Sequence, residues 1–130
     1  MKKEKLKDIY INNWVFKTDL IVVWGKHSLL QAFCEKELPK IKLGEVKKDF
    51  ENPPDENTLG RQYRFKGGGS LIWMPDWDTM TLLHEVVHYA QWIADQRGIP
   101  MVSETDEVMA YLIENTYKRI CDVYIKNYKK

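Results

Sequence analysis

Apolar positions fall into blocks whose period changes along the chain. Residues 1–13 read as a polar lead-in, relieved only by Ile9 and Ile11. Trp14, Val15 and Phe16, then the run Leu20, Ile21, Val22, Val23 and Trp24, are β-branched and aromatic and stop at Gly25. That predicts one or two strands. Over 27–38 the period lengthens. Leu29, Leu30, Phe33, Cys34 and Leu38 recur at three- and four-residue spacing until Pro39, which predicts a helix. Residues 40–60 are polar and carry Pro53, Pro54 and Gly60, so they predict a loop with a short strand around 43–46. Tyr63 and Phe65 alternate with Arg64 and Lys66, a period-two strand signal, and a second strand is predicted over 70–74. Gly67, Gly68 and Gly69 between them suit a hairpin turn that needs positive φ. They do not suit a phosphate loop, because no Gly-Lys-Ser/Thr follows.

After Pro75 the helical period returns. Asp76 or Asp78 is the expected N-cap of a helix that runs to about Arg97 and ends at Gly98 and Pro100. A last helix is predicted from near Ser103, where Ser103 and Asp106 form a capping-box-like pair, to Tyr124 or beyond. Its expected apolar face is Ala110, Ile113, Tyr117, Ile120, Cys121 and Tyr124.

Composition narrows the class. At 130 residues and 15.5 kDa the chain predicts one domain, spanning 1–130. Apolar residues at 44% with charged residues at 30% give the balance of a soluble globular protein. A net charge of +1 argues against a nucleic-acid partner, and the lysines in 2–7 and 126–130 read as solvated ends. Cys34 and Cys121 form no Cys-x-x-Cys pair, so they are expected to be buried small hydrophobes. No apolar segment follows the basic start, and the longest apolar run, 20–24, is far too short to span a membrane. A cytoplasmic protein without a membrane partner is expected.

Against this background one segment carries chemistry: His84-Glu85-Val86-Val87-His88. Helical positions four apart share a face, with Cβ atoms ~5–6 Å from each other. Two imidazoles so placed reach one zinc ion at ~2.0–2.1 Å each. Glu85, next to the first of them, can serve a zinc-bound water as general base. With 3 histidines in the chain, a chance match is roughly 0.5% for a motif of this kind. Catalytic zinc usually takes a third protein ligand. Position 94 is Ala, so no third histidine follows six residues after His88, and His27 is distant. A carboxylate from the next helix is expected instead. Glu104, Asp106 and Glu107 are the candidates, and Glu107 is the best placed, sharing a face with Ala110, Tyr111 and Glu114.

These residues resemble the zincin metallopeptidases, and within them the gluzincin arrangement, in which a downstream glutamate completes the site. The stretch from His84 to Tyr117 is also similar to small zincin-like proteins encoded in phage and prophage genomes. The shared elements are an apolar strand ending in Pro75, the His-Glu-x-x-His helix, the Gly98-Ile99 turn, and Glu107 ahead of Ala110-Tyr111-Leu112. The resemblance covers about half the chain, and the first half matches only in strand–helix–strand order. It implies that His84, His88 and Glu107 bind Zn2+, that Glu85 is the catalytic base, and that a phage-encoded protein works in the host cytoplasm. The gluzincin pattern often has an aspartate four residues after the ligand glutamate, and Tyr111 stands there. Glu114 or a backbone carbonyl is left to orient the histidines. The resemblance also implies a strand beside the cleft, for which 70–74 with a free edge is the candidate. Tyr89, Tyr111, Tyr117 and His27 are candidate oxyanion donors, and Trp73 and Trp77 are read as core or cleft wall.

The combined expectation is an α+β fold in which a small, mostly antiparallel sheet packs against the metal helix and a C-terminal helix. The expected activity is zinc-dependent hydrolysis of a peptide or protein substrate. The alternative is a non-catalytic metal-containing binding or assembly module, such as a phage structural or regulatory protein. Glu85 separates the two, because a peptidase needs its carboxylate for chemistry and not for metal affinity.

Overall fold

A computed structural model describes residues 4–13, 18–37, 45–65, 69–100 and 102–129. Four strands form one sheet: β1 (Lys7–Asn13), β2 (Thr18–Trp24), β3 (Arg61–Arg64) and β4 (Ser70–Met74). Their order is β1-β2-β4-β3. The two outer pairings are antiparallel, and the central β2–β4 pairing is parallel. A parallel pair requires a crossover. Here it carries α1 (Leu30–Glu37), α2 (Glu45–Glu51) and β3. After β4 come α3 (Thr79–Gln96) and α4 (Asp106–Asn127). The mixed α+β class and the mostly antiparallel sheet are as expected.

Each face of the sheet builds its own core. Ile9, Ile11, Leu20, Val22, Trp24, Ile72 and Met74 pack against α3 and α4. On the other face, Ile21, Val23, Tyr63, Phe65, Leu71 and Trp73 pack against Leu30, Cys34 and Phe50. Residues 20–24 and 70–74 are buried throughout, which is why both read as unbroken apolar runs rather than alternating ones. Cys34 is buried and Cys121 half-buried, both as free thiols.

Three expectations for the strands change. The polar lead-in is in part a strand: Ile9 and Ile11 are buried while Tyr10 between them and Asn12 after them are exposed, so two isoleucines were already its period-two signal. The strand expected around 43–46 is replaced at 45 and 46 by α2, whose Phe50 packs under the sheet; residues 43 and 44 lie outside the described ones. The strand 70–74 has no free edge, because β4 pairs on both sides and the edge belongs to β3. Of the three hairpin glycines, Gly67 and Gly68 lie outside the described residues. Gly69 has φ +96°, and its carbonyl accepts from the Phe65 N–H at 3.1 Å.

Asp78, rather than Asp76, caps α3. Its carboxylate accepts from the Met80 N–H at 3.2 Å and the Thr81 hydroxyl at 2.6 Å. The helix ends in a Schellman motif, with Gly98 at φ +65° and the Ile99 N–H donating to the Ala94 carbonyl at 2.8 Å. The Ser103–Asp106 pair is not the cap of the last helix. Thr105 lies there instead, its hydroxyl donating to the Pro100 and Val102 carbonyls. Among the described residues, no helix is long and apolar enough to cross a membrane.

Candidate metal centre and adjoining cleft

α3 turns Leu82, Val86, Tyr89, Ala90 and Ile93 into the core, leaving His84 and His88 one turn apart on its outer face. Their Nε2 atoms stand 3.1 Å apart and the rings meet edge to face at 4.7 Å. Two Zn–N bonds at a tetrahedral angle set their nitrogens about 3.3 Å apart. The spacing therefore fits two imidazoles converging on one zinc ion. Glu85 points to the buried side and is only 7% exposed. Burial pushes its carboxyl above the usual carboxylate range, and the neighbouring His84, His88 and Arg61 pull it back.

Glu85 and His88 open onto a cleft of about 580 Å³. Its other walls are Lys48 and Asp49 of α2, Thr58, Gly60, and all four residues of β3. The cleft thus runs along the outer edge of the edge strand, with α2 on one side and α3 on the other. Alternation divides the strand. Tyr63 lies in the core on the α1–α2 face, whereas Gln62 and Arg64 pair with Ile72 and Ser70 on the α3 face. Arg61 Nε lies 3.5 Å from the Asp49 carboxylate, which also accepts the Tyr63 hydroxyl. Burial, and then this bond, push the Tyr63 phenol well above its usual range. The network fastens α2 to β3 and fixes one wall.

The other sequence candidates are spread wider. Glu104, Asp106 and Glu107 are exposed at the start of the last helix. Among the described residues, no group of three or more His, Cys, Asp or Glu side chains comes together in a way that could hold a metal ion. The face that α4 turns to the core also differs from the expected one. Met109, Leu112, Thr116 and Ile120 form its buried stripe, and Ala110, expected to face α3, is exposed with Glu107, Tyr111 and Glu114. Tyr89 is fully buried in the core, and Tyr111 is 68% exposed. His27 packs against Trp73, on the far face of the sheet from the histidine pair. Trp73 is core, its indole N–H donating to the Gly25 carbonyl, and Trp77 stacks on Tyr124 at 3.9 Å. Tyr117 is half-buried on α4 beside Cys121 and Thr79.

Sequence reasoning missed the cleft walls. One signal was available: a short strand with Arg61 on one face and Arg64 on the other is an edge-strand pattern. Comparison with protein-family models, curated proteins and solved structures finds no significant match.

Proposed function

We propose that the protein is a zinc-dependent metallopeptidase of zincin type that cleaves peptides held along β3. One observation supports this most directly: a buried carboxylate and a histidine of the His-Glu-x-x-His motif open together onto a cleft beside a strand edge that has no partner strand among the described residues. In this reading His84 and His88 hold the metal. Glu107 is the third ligand that the gluzincin resemblance implies, and it would have to come to the pair when the ion binds. When bound, the zinc supplies Lewis-acid polarisation of the scissile carbonyl.

The chain's own groups supply the rest. The edge of β3 lines up an extended substrate by main-chain hydrogen bonds. Glu85, shielded from bulk water, takes a proton from the attacking water and returns it to the leaving amine. A carboxyl with its affinity for protons raised by burial suits that exchange.

Elemental analysis of the wild type, His84→Ala, Glu85→Ala and Glu107→Ala, each supplied with zinc, tests the reading. We expect near one zinc per chain in the wild type and Glu85→Ala, and less in the other two. Peptide hydrolysis should be present in the wild type and absent in Glu85→Ala. A wild type that binds no zinc overturns the reading. Zinc without turnover on any peptide leaves the binding or assembly module.

A further inference from the structure

The cleft is not electrically neutral in its detail. Five charged side chains besides His88 line it: Lys48, Asp49, Arg61, Arg64 and Glu85. Asp49 is engaged by Arg61 and Tyr63. Arg64 and Lys48 are exposed, and neither has an ion-pair partner among the described residues.

The ladder tells where a guest strand would bring its side chains. Phe65 donates to Gly69 across the hairpin, so in the antiparallel alternation 63↔71 and 61↔73 are also hydrogen-bonded pairs. The backbone groups of Gln62 and Arg64 therefore face outward, toward the cleft. A guest strand pairs with those two residues. Its side chain opposite Arg64 lies on the α3 face, ~5.5 Å from the Arg64 side chain. The next guest side chain lies opposite Tyr63, on the face that carries α2 and Lys48.

From this register we infer that the cleft selects an extended acidic peptide, with adjacent acidic side chains meeting Arg64 on one face and Lys48 on the other. The inference rests on the peptide-cleft reading above and names its substrate class. Arg64 offers a planar fork that takes a carboxylate on two parallel bonds, whereas Lys48 acts as a point charge.

The probe is a fluorescein-labelled octapeptide of alternating valine and threonine with two central glutamates, compared with its lysine and glutamine counterparts. Anisotropy is read at low and high salt, with and without zinc, on the wild type and Glu85→Ala. The glutamate peptide is expected to bind at least about tenfold tighter than the lysine peptide, with the margin shrinking as salt rises. Arg64→Gln should reduce the margin, and the double variant Lys48→Glu/Arg64→Glu should reverse it. Circular dichroism checks that these surface variants fold. Equal binding of the three peptides, no binding of any, or an unchanged ranking in the double variant overturns the inference. Zinc-dependent hydrolysis that ignores peptide charge removes this inference and spares the peptidase reading. Acidic preference in a protein that binds no zinc does the opposite.

Discussion

Asp78 shows how one side chain can couple helix stability to pH. Its carboxyl is held below the usual carboxylate range, chiefly by the Thr81 hydroxyl and also by the backbone N–H groups it caps. A lowered folded-state value means that the stabilisation is present above the unfolded value and lost as pH falls through the folded one. Acid should therefore lower the melting temperature of the wild type more than that of Asp78→Asn, whose amide cannot ionise. Parallel melting curves down the acid range check it. The two thiols differ in a comparable way. Burial, with the nearby Glu35 adding to it, pushes Cys34 up to about 12, while Cys121 is raised less and is half-buried. Thiol labelling of the native protein near pH 8 should modify Cys121 first and leave Cys34 until denaturant is added. Timed labelling with mass mapping reads the order. At Glu85 the proposed peptidase reading expects separation of function: Glu85→Gln would keep the zinc and lose at least about a hundredfold in turnover. The histidine pair and Glu85 were legible from the sequence because helix periodicity alone fixes their relative placement. Lys48, Asp49 and Arg64 were not, since only tertiary packing of α2 against β3 makes them neighbours of Glu85.

Between elements, β3 and α3 come close at Gly60, just before β3. A methyl group there would stand 2.7 Å from the Thr81 Cγ2 and 3.2 Å from the Trp73 carbonyl. The absent side chain lets β3 lie close to the first turn of α3, which sets the mouth of the cleft. Gly60→Ala should cost about 1–3 kcal/mol of stability, the usual range for overpacking. It should also weaken peptide binding relative to a mutation of equal cost in the remote core. Denaturant titration paired with anisotropy separates the two effects. The same scale explains which elements could be read in advance. β4, α3 and the Gly98 stop have strong local signals: a continuous apolar run, a capping aspartate and a left-handed glycine. β1 carries only two alternating isoleucines, and α2 owes its docking to a single Phe50 beneath the sheet. The face of α4 was misplaced by a fraction of a turn. Ile113, Tyr117 and Cys121 border the buried stripe closely enough that periodicity cannot separate border from centre.

At the scale of the molecule, α4 is tied to β1, the edge strand farthest from β3. Arg119 donates to the Asn12 carbonyl and Tyr128 to the Asp8 carbonyl, each at 2.9 Å. Trp24 packs edge to face against Trp77, Tyr124 and Tyr128. Leu82 is fully buried in this larger core, and Leu82→Ala should cost about 2–5 kcal/mol in urea unfolding. The central parallel pairing has a consequence of another kind. β1 with β2, and β3 with β4, are neighbours in the chain, and such pairs can close in about 1–10 μs. Leu20 meets Ser70 and Trp24 meets Met74, so the seam between the halves waits on a loop of some fifty residues. The refolding rate should then be set at that seam. Val22→Ala and Ile72→Ala, on its two sides, should slow refolding, whereas Ile11→Ala, in the outer pair, should chiefly speed unfolding. The order in which the chain assembles thus follows from one parallel pair in a sheet otherwise made of neighbours.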